Sequence, residues 1–467
     1  MFIAILSRVM FLIIPHFYFS KKGIMRLISL VFSRKYNKAG LFLDLDGTLW
    51  QDLGPGGILS YSKKSHNFPK LSSVYRSAFD FTFAISNQTL FCYHSKLDIQ
   101  TILYYRRLLR NIMKDFQIDA MAVCYHHPYS NNSIFRRDCR YRKPSSDGIN
   151  FFSKLFKIEK QRSVLIGDRI TDVMSGVDAS INSNLLIRNN KAMEINKVNE
   201  SFNFCSTYRF KLIESVSDAI PQSSKSELTI LILSAGMGLR LRPITLTTPK
   251  PLILLSENVS IISRLVGQVY DVFPYSRILI NLSYLSQSFI DHEPLTPYLK
   301  RIHFAWENQL LGGEETLRQA FKDTQNNYVV IHGDQFVGLK DLKQLKKFME
   351  FSPQNSMMAC HYRAVEDARS LVEIDGTTII SFHEGPVENF KRKSPILVNS
   401  GIYYFGKEDL ENYFRLEHLE KSELTEGLIP YLVNNNKLKL FNWSSDRIAI
   451  DSIEKLEIAR RRLKDSI

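Results

Sequence analysis

Two α/β domains, each a parallel sheet between helical layers, are what this sequence predicts, and three observations predict it. The chain has 467 residues, enough for two or three domains. Short apolar runs recur along it, most of them followed by an amphipathic stretch of crossover-helix length, the pattern of strands that return in parallel. A polar stretch rich in serine, with Pro221, Ser223, Ser224 and Ser226, interrupts this series once, as a linker does. The expected organisation is a leader at 1–38, a first domain at 39–215, a linker at 216–227 and a second domain at 228–467.

The elements follow in order. Phe2 to Phe19 is apolar but carries Arg8, Pro15 and His16, too interrupted for a spanning helix and without the cleavage site of a signal peptide. Lys21 to Lys38 mixes apolar and basic residues, a pattern suited to an anionic membrane surface; a disordered leader or an early start codon are the plainer readings. In the first domain, strands are expected at Leu41–Leu43, Phe81–Ile85, Ala120–Cys124 and Val164–Ile166, with helices at Lys96–Phe116 and Asp147–Phe156. In the second, strands are expected at Thr229–Ser234, Ile278–Asn281, Ile302–Trp306, Tyr328–Ile331, Met357–His361 and Gly401–Phe405.

Four polar motifs of the first domain each come after an apolar run, so a parallel sheet would gather them at one edge, where ligands bind. Asp44-Leu45-Asp46-Gly47-Thr48 follows the first strand. Phosphoryl transfer needs a nucleophile and a proton donor for the leaving oxygen: Asp44 is the candidate nucleophile and Asp46 the acid and base. Ser86-Asn87-Gln88 follows the second strand, with Ser86 as a hydroxyl donor to a phosphate oxygen. Arg142-Lys143-Pro144 offers Lys143 to neutralise the transferring group. Asp168 and Asp172, four apart across a strand-to-helix turn, are candidate Mg²⁺ ligands together with Asp44 and Asp46.

Over about residues 40–215 this order of motifs resembles the haloacid dehalogenase superfamily. Cys124-Tyr125-His126-His127-Pro128, followed by Cys139-Arg140-Tyr141-Arg142-Lys143-Pro144, is similar to its heptose bisphosphate phosphatase branch, which includes histidinol phosphatases. The resemblance implies substrate binding by Asn87 and Arg142. It also implies a zinc loop whose ligands fall on Cys124, His126, Cys139 and position 141. Tyr141 stands at the fourth position, so the zinc set is one ligand short, and packing is the alternative way to hold the loop.

The second domain opens with Ser234-Ala235-Gly236-Met237-Gly238-Leu239-Arg240 and runs to Pro249-Lys250-Pro251. Gly236 and Gly238 make room for backbone N–H groups to approach a triphosphate. Arg240 is placed for the β- and γ-phosphates, and Lys250 for the α-phosphate or an incoming sugar phosphate. No Gly-Lys-Ser/Thr follows, which excludes a P-loop, and Arg240 to Pro243 breaks the helix that a dinucleotide fingerprint requires.

Over about residues 228–460 this resembles the sugar-phosphate nucleotidyltransferases. The resemblance implies nucleotide contacts at Glu307 and Gly312, sugar contacts at Glu384 and Asn399, and Mg²⁺ on Asp334. The chain departs from the family at Gly313-Glu314-Glu315, where Thr-Ala-Gly is common, at Gly385, where a lysine is usual, and at Ala449, where the second metal-binding aspartate is expected. Asp451, two residues on, points the same way in a strand and is the candidate substitute. Both halves are then Rossmann-like three-layer α/β domains, one of the haloacid dehalogenase kind and one GT-A-like.

Composition narrows the partners. Net charge is +14, and half of it lies in residues 1–38, where seven basic residues precede the first acid, Asp44. The remainder suits polyanionic small substrates, and no nucleic-acid module is present. Five cysteines in so long a chain make no disulfide framework and fit a reducing compartment, the cytoplasm, peripheral to the membrane if the leader lies on its surface. The oligomeric state is not legible. Together the resemblances imply a bifunctional enzyme with Mg²⁺ and sugar-phosphate and nucleoside triphosphate substrates. One half would convert heptose 1,7-bisphosphate to heptose 1-phosphate, and the other would join that product to a nucleotide, GMP from GTP. The alternative is a phosphatase whose second half is a catalytically weak nucleotide sensor.

Overall fold

A computed structural model describes residues 17–30, 38–49, 78–92, 99–193, 207–214, 227–351, 355–365, 368–385, 395–416, 423–443 and 447–465. The linker expected at 216–227 lies outside them except for Glu227, as do residues 1–16 and 31–37 of the leader. The chain divides into two compact units, Met1–Ser223 and Ser224–Ile467, both α/β.

The first unit holds β1 (Phe17–Phe19), β2 (Gly40–Leu43), β3 (Phe81–Asn87), β4 (Ala120–Cys124), β5 (Val164–Gly167), β6 (Ser183–Ile187) and β7 (Thr207–Ile213). They pair in the order β1-β4-β3-β2-β5-β6-β7. All neighbours are parallel except β1, which runs antiparallel along β4 with Phe17 opposite Ala122. β2 therefore sits between the strands that follow it in both directions, the switch point at which a parallel sheet opens a crevice.

Strand periodicity sorts the core. Leu41 and Leu43 join a cluster on one face with Leu109, Ile112 and Met113 of the Ile99–Asp115 helix. Phe42 joins the other, with Phe83, Ile149, Phe152 and Phe156. The second face is aromatic: Phe83 stacks on Phe152 with ring centroids 5.0–5.1 Å from its neighbours Phe42, Phe152 and Phe156. Each such buried ring contributes about 2–3 kcal/mol by burial alone.

The leader is partly corrected here. Residues 17–30 are folded into this unit rather than forming a disordered arm. Phe17, Phe19 and Ile24 are buried in the aromatic cluster, and Arg26 pairs with Asp119 at 3.1 Å. Of the basic residues that suggested a lipid surface, Lys21 and Lys22 are exposed on a short docked helix, Lys21–Leu30, and Arg26 anchors it; Arg34 and Lys35 lie outside the described residues. Among the described residues no helix is long and apolar enough to cross a membrane.

The second unit holds β8 (Leu228–Leu233), β9 (Leu254–Ser256), β10 (Val259–Ser260), β11 (Arg277–Leu282), β12 (Ile302–Glu307), β13 (Asn327–His332), β14 (Gln335–Phe336), β15 (Ser356–Arg363), β16 (Ser370–Asp375), β17 (Thr378–Glu384), β18 (Ile396–Phe405), β19 (Leu438–Asn442) and β20 (Ile448–Ala449). The main sheet runs β12-β11-β8-β13-β18-β15-β19-β17-β16. β12, β11, β8 and β13 are mutually parallel, and β18 turns the sheet mixed by pairing antiparallel to both β13 and β15. The parallel expectation holds for the half that carries the glycine-rich turn. The rest is mixed: β15 and β19 pair in parallel, while β16 and β17 form an antiparallel hairpin that returns through Gly376 at φ +57°. The β14–β20 pair sets Ala449 opposite Gln335.

Candidate functional site

In the first unit the four motifs meet at the carboxyl edge. Asp44 leaves β2 with its N–H bonded to Ile166 O at 2.9 Å, which ties it to the end of β5. Asp44, Asp168 and Asp172 are all buried, and their ligand oxygens lie within 4.8 Å of one another. Lys143 sits among them, bonded to Asp44 Oδ1 and 2.5 Å from Asp172 Oδ1. Asp172 also caps the helix that follows: its Oδ2 accepts from the N–H groups of Asp168 (3.1 Å) and Arg169 (2.9 Å). Gly47, at φ +79°, is required by this packing, since a Cβ there collides with the Asp168 carboxylate.

The electrostatics follow from the crowding. Burial, with the charges of Asp172 and Asp46 added, pushes Asp44 well above the usual carboxylate range, against the pull of Lys143. Burial and then Asp44 and Asp172 push Asp168 higher still. Lys143, which burial alone would lower, is held above its ordinary value by Asp172 and Asp44. One ammonium among three carboxylates leaves excess negative charge, and Asp168 Oδ1 is buried without a hydrogen-bond partner. An all-oxygen donor set with an orphaned oxygen fits a hard divalent cation.

Two side chains are placed differently from expectation. Asp46 lies outside the three-carboxylate cluster. It accepts from Gln88 Nε2, which also donates to Ser86 Oγ at 2.8 Å. That leaves Asp46 oriented for proton transfer. Asn87, expected at the substrate, instead grips the backbone of Lys143: Nδ2 donates to Lys143 O and Oδ1 accepts from Lys143 N, both at 3.0 Å. Spacing could not reveal that its amide is already used. Asn87→Ala is expected to lower the phosphatase kcat about 10–100-fold with little change in KM, because the ammonium is misplaced rather than removed. Steady-state phosphate release separates the two parameters.

Cys124, His126 and Cys139 are buried together, with ligand atoms within 4.8 Å. Three of the four positions that the resemblance assigns to zinc therefore converge. Tyr141 does not supply the fourth: its ring meets Phe17 edge-on with centroids 5.0 Å apart, in the aromatic cluster. Cys139 near Cys124 and burial together raise the Cys124 thiol. Arg142 donates through Nη1 to His126 O at 2.9 Å, so the loop is also braced from the catalytic side.

In the second unit Ser234, at the end of β8, donates its N–H to Asn281 Oδ1 at 2.5 Å. Asn281 Nδ2 donates to Glu307 Oε1 at 2.8 Å, and Thr316 Oγ1 donates to the same oxygen at 2.6 Å. Glu307, expected at the nucleotide, is thus buried inside a network that joins the glycine-rich turn to the helix Gly313–Thr324. It positions both. Gly312 precedes that helix at φ +84° and accepts from Thr316 Oγ1 at 2.8 Å.

Gly236 has open space around it, while a Cβ at Gly238 (φ +61°) would crowd Thr245 and Lys250. Lys250 is bonded to Asp334. Burial would raise Asp334, but Lys250 and then the His332 ring outweigh it and hold the carboxyl below its ordinary value. Arg240 is 83% exposed at its side chain. Asp451, the candidate second metal ligand, has cationic neighbours: Oδ1 pairs with Lys455 at 2.5 Å and Oδ2 lies 3.8 Å from Arg240. Asn399 spends its amide on the turn, accepting from Gly401 N and donating to Tyr403 OH, both at 2.8 Å. Glu384 ends β17 exposed.

The departure at Glu314 has a structural reason. Its buried carboxylate accepts from Tyr413 OH at 2.9 Å and from Leu428 N at 2.8 Å, which caps the helix Leu428–Asn434. Glu314→Ala leaves both donors without an acceptor and is expected to cost about 2–4 kcal/mol, with Glu314→Gln costing less. Thermal melts of the two variants check this.

The chain matches known proteins in both parts. Residues 229–445 match the family described as Nucleotidyl transferase. The "Bifunctional protein GlmU" of Methanocaldococcus jannaschii is 28% identical over 211 residues, 45% of this chain and 48% of that protein. The "D-glycero-beta-D-manno-heptose-1,7-bisphosphate 7-phosphatase" of Haemophilus influenzae is 31% identical over 78 residues, 17% of this chain and 42% of that protein. The chain thus spans about half the length, or less, of these curated relatives. Among solved structures, HddC from Yersinia pseudotuberculosis aligns over 50% of this chain and 99% of its own at 23% identity, with a TM-score of 0.41. Residues 229–445 thus match the nucleotidyl transferase family, and the region before them is similar to the heptose bisphosphate phosphatases.

Proposed function

We propose that the first unit hydrolyses a phosphate monoester of a sugar bisphosphate, heptose 1,7-bisphosphate, and that the second transfers a nucleotidyl group, GMP from GTP, to the sugar 1-phosphate that results. The observation that carries the first half is the buried Asp44–Asp168–Asp172 cluster around Lys143, with Asp46 held just outside it by Gln88. An Asp44 oxygen attacks phosphorus and the bond to the sugar oxygen breaks, while Asp46 gives that oxygen its proton. Asp46, now a carboxylate, takes a proton from water, which attacks the aspartyl-phosphate and frees Asp44. Lys143 and the Ser86 hydroxyl balance the charge on the moving phosphoryl group. Mg²⁺, when bound by Asp44, Asp168 and Asp172, supplies charge neutralisation.

In the second unit the sugar phosphate oxygen attacks the α-phosphorus and pyrophosphate leaves. Backbone N–H groups of the 234–240 turn, Arg240 and Lys250 hold the phosphates in line. Support for pairing the two steps is that one unit's product is the other's acceptor. Four free buried cysteines among the described residues suit a reducing compartment such as the cytoplasm. Incubating the purified chain with heptose 1,7-bisphosphate, Mg²⁺ and GTP is the test. Phosphate and a GDP-sugar are expected, and the absence of both defeats the proposal.

A further inference from the structure

Two arginines of the second unit, neighbours in the fold, form no ion pair among the described residues. Arg363 ends β15 and Arg447 precedes β20. Arg447 donates its Nε–H to Gln335 Oε1 at 3.0 Å, and Gln335 Nε2 donates to Ser400 O at 3.2 Å. The guanidinium is therefore oriented by a side chain fastened to the Asn399–Gly401 turn. Among the described residues, its two terminal nitrogens make no hydrogen bond or ion pair, and the Arg363 side chain makes none. The residue facing Gln335 across the β14–β20 pair is Ala449, which brings no carboxylate to that position.

We propose that Arg447 and Arg363 form a phosphate site of the second unit, which holds a phosphate monoester carried by the sugar acceptor, with Gln335 as the positioning residue of Arg447. This rests on the reading of that unit as a transferase acting on sugar phosphates. The two guanidinium groups are close enough to repel each other. His361, with Nδ1 2.8 Å from Ser400 Oγ, feels both: burial first, then Arg447 and Arg363, hold it near 4. Asp334 and Asp451 attract Arg447 through space, but neither pairs with it. A folded chain that gathers like charges in a partly buried place gains when an anion joins them. A phosphate matches two planar forks, each offering parallel N–H groups. The site lies beside the Ser400 turn and so opposite in function to exposed Arg240, which serves the leaving pyrophosphate.

Hydrogen–deuterium exchange on the full chain tests it, in the Asp44→Asn background so that the first unit consumes no probe. The probes are inorganic phosphate, glucose 1-phosphate, glucose 6-phosphate and GTP. Expected is at least threefold slower exchange at 399–403 and 447–452 with a sugar phosphate, and at 234–250 with GTP. Whichever glucose phosphate protects more strongly identifies the end of the sugar that the site reads. Arg447→Gln is expected to abolish the first protection and keep the second, with Arg447→Lys intermediate. Protection that is unchanged in both Arg447→Gln and Arg363→Gln overturns the site, as does a lack of protection at 399–403 and 447–452 by every phosphate probe. If GTP protects nothing while sugar phosphate protection still depends on Arg447, the anion site stands and nucleotidyl transfer falls.

Discussion

Asp44→Asn is expected to lower phosphate release by a factor of about 10⁴ or more, since an amide cannot form the aspartyl-phosphate. The same change is expected to stabilise the metal-free protein. Asp44 is buried with Asp168 and Asp172, and its folded-state pKa lies above the ordinary 3.8. The sign follows from linkage. An acid with a raised folded pKa binds its proton more tightly when folded, so its ionisation works against folding as pH rises above 3.8. The asparagine has no proton to lose, so the melting temperature of the variant should exceed that of the parent increasingly toward neutral pH. Lys143 keeps Asp172 as a partner, so no buried ammonium is stranded. Added Mg²⁺ should raise the melting temperature of the parent more than that of the variant. An Asp44→Asn protein that retains phosphate release removes the nucleophile assignment. One that melts lower at neutral pH contradicts the account of a charge-crowded cluster.

Asp334→Ala is expected to lower nucleotidyl transfer about 10³-fold or more and to leave phosphate release within twofold of the parent. Asp334 is held ionised, below its ordinary value, chiefly by Lys250. Its folded pKa is depressed, so its favourable contribution is present above 3.8 and lost only as pH falls through the folded value. Transfer should therefore show no titration of this group near neutral pH. Removing it takes away the one carboxylate at the end of β13 that a cation bridging triphosphate and protein could use, since Asp451 is tied to Lys455. If transfer is absent in the parent while phosphate release is intact, the second unit is a binding module; transfer unchanged in Asp334→Ala instead removes the role assigned to Asp334. Assays of sugar nucleotide and of free phosphate on the same samples separate these cases.

Much of this was legible in the residues. The expected strands at 120–124 and 164–166 and helices at 96–116 and 147–156 fall on observed elements, because apolar runs of four or five residues between amphipathic stretches leave little choice in a parallel sheet. Asp44, Lys143, Asp168 and Asp172 converge because strand ends must. Less legible was how polar side chains spend their hydrogen bonds. Asn87, Glu307 and Asn399 have the residue types of ligand contacts, yet each closes on its own protein. Nothing in spacing distinguishes an amide facing a substrate from one facing a backbone. Gln88 and Arg447 were passed over for the converse reason: their roles come from a neighbour across the fold, Asp46 and Gln335, not from a neighbour in sequence. The docked segment at 17–30 was hidden by its composition, since a short amphipathic helix with lysines and arginines looks alike on a membrane and on a protein.

That segment has a practical consequence. β1 is the last strand of its sheet, and it occupies the side of β4 that would otherwise present unpaired N–H and C=O groups. Expression of the chain from residue 39, which a motif-based trimming would choose, removes that cover and also bares Phe152 and Phe156. Such an edge is a template for pairing with another chain. The shortened protein is expected to elute as soluble aggregates in size-exclusion chromatography, while a version beginning at residue 15 or earlier remains monodisperse.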